Sequence, residues 1–261
     1  MIKKTIILAF IFISINLIAQ IQRVEPAFWW VGMKNTHLQL LIQGSSICNS
    51  DVIIKYAGVK VLKTNRACSP NYLFVNLEID PKLAKAGKFN ILLKQNDKAD
   101  IQIPYELKAR RVGSAQRESF TSADVVYLLM PDRFANGNPA NDNVDSQPEK
   151  SNRKLLSGRH GGDIKGIQDH LDYIKELGAT AVWCTPLQEN NFEKQTYHGY
   201  AISDYYKIDP RFGSNEEYNN MVSASHQKGL KVIMDMVSNH CGIGAWWMND
   251  LPFEDWIHQW S

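Results

Sequence analysis

The sequence has little excess charge of either sign. Its 29 Lys and Arg against 27 Asp and Glu leave a formal net charge of +2 over 261 residues. The charges are interspersed, so no extended field attracts nucleic acid or an anionic membrane. Cysteine is scarce: the four at positions 48, 68, 184 and 241 are too few and too unevenly spaced for a disulfide scaffold or a paired-Cys metal site. Cys48 and Cys68 are placed to bridge neighbouring strands in an oxidising compartment, whereas Cys184 and Cys241 read as small buried hydrophobes. Long apolar runs are scarce too. The run from Ile6 to Ile18 is shorter than the ~20 residues of a membrane-spanning helix. With Lys3 and Lys4 before it and Ala19 after it, it has the layout of a secretory signal peptide over residues 1–20. No Cys follows it to carry a lipid. The expectation is a periplasmic or secreted protein with no membrane contact once the signal is removed.

What is present is a globular composition, 44% hydrophobic and 21% charged, in two regimes. Up to Lys108, short partly alternating stretches ("HLQLLIQ", "DVIIKYAGVKVL", "YLFVNLEI", "KFNILLKQ") are separated by Asn, Ser, Gly and Pro clusters. That pattern predicts a β-sandwich over residues 21–112. From residue 113 to 261 the grammar is α/β. "DVVYLLMP", "ATAVWCTP" and "LKVIMDMV" are continuous apolar runs, as expected of strands buried on both faces of a parallel sheet. Between them, Ile164, Ile167, Leu171, Ile174 and Leu177 recur at helical spacing, capped by Asp163 and stopped by Gly178. Ser214 and Glu217 form a capping box for a second helix that ends at Gly229. In such folds ligands bind beyond the carboxyl ends of the strands, and the unusual polar residues of this half all fall in those loops.

Three loops carry candidate chemistry. Asn136, Asn138, Asn141 and Asp142 supply hard oxygen donors at close spacing, which suits calcium and equally an ordinary Asx-turn loop. "YHGYAISDYY" sets Tyr197, Tyr200, Tyr205 and Tyr206 beside His198 and Asp204, a mixture suited to stacking on a sugar ring and bonding its hydroxyls, or to plain core packing. "KVIMDMVSNH" places Asp235 within an apolar run and Asn239 and His240 just beyond it. Trp246 and Trp247 close behind suggest an aromatic cleft.

"DVVYLLMPDRFANGN", "GGDIKGIQDHLDYIKELGATAVWCTP", "YHGYAISDYYKIDPRFGS" and "KVIMDMVSNHCG" together resemble the α-amylase superfamily of glycoside hydrolases. "VEPAFWWVGM" and "WWMNDLPFEDWIHQW" are similar to the neopullulanase and cyclomaltodextrinase branch. The resemblance implies an all-β immunoglobulin-like sandwich followed by the α/β start of a (β/α)8 TIM barrel. It also implies retaining hydrolysis of α-1,4 bonds in cyclodextrins, pullulan or starch oligosaccharides. By the same resemblance, Asp235 supports the catalytic cluster, His240 bonds the sugar, Tyr200 stacks under it, and His198 and Asp204 lie in the matching loop. Calcium (Ca2+) would be held by Asn136, Asn138, Asn141 and Asp142 with Gly161 and Asp163. A full-length homodimer is a further expectation.

A complete barrel takes roughly 250 residues, yet only three strand and helix units fit between Asp124 and Ser261. The segments that carry the nucleophile and the acid in this superfamily have no match here, and Asp250, Glu254 and Asp255 are not assigned to those roles. The chain therefore reads as truncated and inactive alone. Two competing readings are a non-catalytic glucan-binding protein and a metal-dependent hydrolase built on His160, His198, His240 and Asp235.

Overall fold

The structure, a computed structural model, describes residues 21–96 and 99–259. The signal peptide expected over residues 1–20 lies outside them. Among the described residues no helix is long and apolar enough to cross a membrane. The described chain divides into two compact units, residues 21–117 with 251–259, and residues 118–250. The sequence pattern places all of 113–261 in the barrel. The last nine described residues instead cluster with the sandwich, because the aromatic side chains of Phe253 and Trp256 pack on Phe74.

The first unit is a two-sheet sandwich. One sheet orders β1 (Ile21–Glu25), β3 (His37–Gly44), β6 (Tyr72–Ile79) and β5 (Val59–Arg66) as β1-β3-β6-β5, all antiparallel. The other orders β2 (Trp29–Trp30), β8 (Ile101–Lys108), β7 (Gly87–Lys94) and β4 (Asp51–Ile54) as β2-β8-β7-β4. The alternation in sequence becomes an inward face: Leu38, Leu40 and Ile42 of β3 meet Leu73, Val75 and Leu77 of β6, and Ile91, Leu93, Ile103, Tyr105 and Leu107 come from the opposite sheet. A period of two residues puts one side of each strand in this core and the other outside it. The thiols of Cys48 and Cys68 are free.

The second unit is a parallel sheet of β9 (Val126–Leu129), β10 (Ala181–Cys184) and β13 (Lys231–Met234), ordered β13-β10-β9 with Ala181 level with both Val126 and Lys231. Short helix α1 (Pro131–Phe134) follows β9. The periodic segment after it forms two short helices, α2 (Ile164–Asp169) and α3 (Leu171–Glu176), where one was predicted. The break falls at His170, whose Nδ1 lies 2.8 Å from the Gly166 carbonyl. Asp163 caps α2 through Gly166 N, and Gly178 ends the segment at φ +85°. Leu177, expected on the apolar stripe, is 53% exposed. A small antiparallel pair, β11 (Gln188–Glu189) and β12 (Asp204–Ile208), precedes α4 (Asn215–Gln227), which Ser214 caps through Glu217 N.

The helices cover one face of the sheet, burying Leu129, Val182, Cys184, Ile164, Ile167 and Met221. The other face is open. Val126 is 43% exposed, Leu128 58% and Trp183 37%. The continuous apolar runs had predicted strands covered on both faces. Burial at alternate residues shows cover on one, and the uncovered residues are those that point to the inside of a closing barrel. Burial drives the Cys184 thiol up to about 12, consistent with its reading as an inert hydrophobe.

Candidate functional site

The site forms at the carboxyl ends of the neighbouring strands β10 and β13. Asp235 follows β13 directly, and its Oδ2 accepts from two donors, Trp183 Nε1 at 3.1 Å and Tyr200 OH at 3.1 Å. Gln188 Nε2 donates to the Asp235 carbonyl at 3.2 Å. A carboxylate among apolar strand residues is costly unless it is bonded, and these partners satisfy it. Trp183, inside the apolar run "ATAVWCTP", is the residue that sequence reasoning missed in this cluster. Its signal was positional: it is level with Ile233 on the neighbouring strand, two residues before Asp235.

His240 lies in the same cluster, but its nitrogens are engaged. Nε2 is 2.9 Å from the Tyr200 carbonyl, which can only accept, so Nε2 carries the proton. Nδ1 lies 3.3 Å from Asn239 Nδ2 and is the acceptor. The expectation that His240 bonds sugar is thus met by a histidine that braces the backbone of Tyr200 in this structure. Tyr205 OH donates to the His240 carbonyl at 2.8 Å. His198 Nδ1 accepts from Tyr200 N at 2.9 Å, and its ring is near-parallel to that of Tyr200, 6.0 Å between centroids. Burial holds the His198 imidazole below its usual range, consistent with a ring nitrogen committed as an acceptor. Burial and the hydrogen bond to Asp235 push the Tyr200 phenol up, so it is a donor at neutral pH. Gly199, between these rings at φ +82°, is required: a Cβ there would lie 2.0 Å from the Pro186 carbonyl. Asp204 stands apart, buried and capping Tyr206 N at 3.0 Å. Tyr197 lies under the Arg133 guanidinium at 4.2 Å.

The loop carrying His198 and Tyr200 hangs on a buried polar knot that the sequence did not disclose. Gln195 adopts a left-handed conformation, φ +60°, uncommon for a residue with a Cβ. Glu149 holds the turn by accepting from Gln195 N at 2.9 Å, Thr196 N at 2.7 Å and Thr196 Oγ1 at 2.6 Å. Arg159, 1% exposed, donates from Nη1 to the Thr196 carbonyl and hydroxyl at 3.3 and 3.2 Å. Arg211 bonds Asp209 from Nε and Nη2 and reaches the Glu149 carbonyl at 3.1 Å. Burial pushes the Asp209 carboxyl up, but the Arg211 bonds and the Arg159 charge offset it and hold the group low.

The candidate calcium residues also converge. Asn136 Nδ2 donates to Asp142 Oδ1 at 2.8 Å. Asn136 Oδ1 and Asn141 Oδ1 are buried acceptors without a hydrogen-bond partner. Gly161, at φ +87°, leaves a cradle: a Cβ there would lie 2.6 Å from Asp142 Oδ1. Asp163 spends both oxygens on backbone donors, Gly137 N, Gly166 N and Asn138 N. Asn138 Oδ1 accepts from Ala140 N. Burial, and the nearby Asp163 and Asp132, push the Asp142 carboxyl up despite the Asn136 bond. Two orphaned amide oxygens, a glycine cradle and a mutually repelling carboxylate pair fit a hard divalent cation. Among the described residues no group of three or more His, Cys, Asp or Glu side chains forms a metal site.

Comparison with known proteins agrees with this architecture. Residues 128–255 match the model "Alpha amylase, catalytic domain", and residues 23–111 match "Cyclomaltodextrinase, N-terminal". The chain belongs to the α-amylase family. Within it the likeness is to the cyclomaltodextrinase and neopullulanase type. A cyclomaltodextrinase of Geobacillus thermopakistaniensis is 37% identical over 155 residues, 57% of this chain and 26% of that protein. Neopullulanase 2 of Thermoactinomyces vulgaris is 40% identical over 119 residues, 45% of this chain and 20% of that one. A crystal structure of an Anoxybacillus α-amylase is 42% identical, covers 55% of this chain and 30% of its own, and superposes with a TM-score of 0.48. The α-amylase family chain thus matches 26% and 20% of the length of these two curated relatives.

Proposed function

We propose that this chain supplies the N-terminal domain and one wall of the sugar cleft of a retaining α-glucan hydrolase, exported from the cytoplasm. Its substrates would be cyclodextrins, pullulan or starch oligosaccharides. The observation that carries the reading is the convergence of Trp183 Nε1 and Tyr200 OH on Asp235 Oδ2. It brings two aromatic rings and a carboxylate to one strand end, the combination that grips a ring with apolar C–H faces and a hydroxyl rim. Tyr200 offers its ring to the sugar, Asp235 fixes the phenol and the indole, and His240 and His198 hold the Tyr200 backbone at its carbonyl and amide.

Retaining hydrolysis takes a nucleophile and an acid about 5 Å apart. We assign neither to a described residue and propose that the 261-residue chain binds glucan without cutting it. Calcium, held by Asn136, Asn141 and Asp142 with Asn138, Gly161 and Asp163 around them, would supply charge neutralisation that fixes the loop. Titration calorimetry of the chain with maltotriose tests the cleft. Asp235→Asn should weaken binding roughly ten- to hundred-fold, because a hydrogen bond to a charged group contributes about 1.5–3 kcal/mol. Unchanged affinity would reject the assignment, and maltose release from cyclodextrin by the chain alone would refute the reading that it binds without cutting.

A further inference from the structure

We propose that the Asn136–Gly137 peptide is a latent self-modification site, which the Asp163 carboxylate holds unreactive and which converts irreversibly to an aspartyl or isoaspartyl link once its loop opens. It is the only Asn–Gly pair among the 261 residues. Asparagine is thermolabile, and most so before glycine, where no side chain hinders the approach of the following backbone nitrogen to the amide. In that reaction the Gly137 nitrogen bonds Asn136 Cγ and the Cγ–Nδ2 bond breaks. The proton from Gly137 N leaves with Nδ2 as ammonia. Water then opens the cyclic imide at either carbonyl, so one water enters for each ammonia lost and no oxidant or reductant is needed.

The fold denies the nitrogen that approach. Gly137 N donates to Asp163 Oδ1 at 3.1 Å and Asn138 N to Asp163 Oδ2 at 2.8 Å, while Asp163 N donates to the Ala135 carbonyl at 3.0 Å. Asp163 is buried, so the backbone on both sides of Asn136 is stapled to one fixed residue. The Asn136 amide is held from its own side, its Nδ2 donating to Asp142 Oδ1 at 2.8 Å. Gly137 lies so close to α2 that a Cβ on it would clash with Gly166 N. An N–H that donates to a carboxylate also resists the deprotonation that makes the nitrogen nucleophilic. Gly137 is nonetheless exposed, so water reaches the imide once the staple releases. After conversion, position 136 is a carboxylate facing an Asp142 oxygen that had accepted an N–H, and two negative oxygens at that distance repel. The loop then cannot reclose as before. This inference is independent of the sugar-cleft reading.

Peptide mapping by mass spectrometry during incubation of the 261-residue chain at mildly alkaline pH tests it, with Asn49, which precedes Ser50, as internal standard. Measured against Asn49, residue 136 should convert at least ten-fold faster in urea than in the folded chain. A smaller difference would overturn the proposal. Asp163→Ser can still cap α2 but cannot reach both amides, and it should raise the folded rate at residue 136 at least ten-fold while circular dichroism shows the helices intact. An unchanged rate in that folded variant would overturn the role of Asp163. Should the variant not fold, the parent in sub-denaturing urea decides. Conversion there should rise through local opening before global unfolding, and conversion that waits for global unfolding overturns the lock. Asn136→Asp, the reaction product, should lower the melting temperature of the second unit, and unchanged melting would overturn the claim that the loop cannot reclose.

Discussion

At Gly161 a single missing methyl group decides whether the loop can exist. Its φ of +87° disfavours an L side chain, and a Cβ would lie 2.6 Å from Asp142 Oδ1 and 2.8 Å from Asn136 Nδ2. Gly161→Ala is expected to destabilise the second unit by roughly 1–3 kcal/mol, measured by denaturant unfolding. It should also abolish any rise in melting temperature that millimolar calcium gives the parent chain. A variant that keeps the full calcium response would remove Gly161 from the cation site. The same scale shows what the sequence could and could not disclose. The cap residues Asp163 and Ser214 were legible because their partners, Gly166 N and Glu217 N, lie three residues on. Glu149 and Arg159 were not, because Thr196 is 47 and 37 positions away, and no local pattern marks a charge that burial will complete.

Among the elements, the turn at Gln195 has the most to lose. Glu149 gives it three acceptor contacts, each worth about 1.5–3 kcal/mol when one partner is charged. Glu149→Gln should lower stability by at least one such bond and disturb the His198 ring signals by NMR. Loss of stability without any His198 shift would show that the turn does not position the histidine. The amino ends of the strands are tied by Asp124, which accepts from Lys231 Nζ, Thr121 N and Thr180 Oγ1. The Lys231 bond, with the Thr121 and Thr180 bonds, lowers its carboxyl from 3.8 to about 2. A depressed carboxyl stabilises the folded state above its unfolded value. The Asp124 contribution is therefore complete above about pH 4 and lost as pH falls toward 2. Acid unfolding of Asp124→Asn beside the parent should show a stability gap that closes in that window. The type of the three parallel strands and of the helices between them was readable, since the period of apolar residues is a local property, whereas the β11–β12 pair falls in what reads as a polar loop. The break at His170 was not, because a side chain bonding the Gly166 carbonyl leaves the apolar spacing unchanged.

For the molecule as a whole, the open face of the parallel sheet matters most. Val126, Leu128 and Trp183 are between 37% and 58% exposed, and contiguous apolar surface of this kind attracts other apolar surface. The 261-residue chain is expected to bind a dye such as ANS while fully folded. Leu128→Ser should reduce that signal without lowering the melting temperature, since exposed side chains contribute little to stability. An ANS-silent parent would mean that the face is covered in solution. The sandwich and the α/β order were legible in sequence because each follows from spacing along the chain. That only one face of the sheet is covered was not, because a continuous apolar run looks the same whether its second side meets protein or water.

The buried knot around Arg159 has one more consequence. Asp132 receives Gly161 N and His160 N on its two oxygens and sits 3.7 Å from Arg159, whose guanidinium grips Thr196. The cradle beside Asn136 and the ring of Tyr200 are therefore two ends of one rigid linkage. On the proposed reading, a trace of chelator in a buffer would weaken the grip on sugar at the far end of that linkage as well as lower the melting temperature.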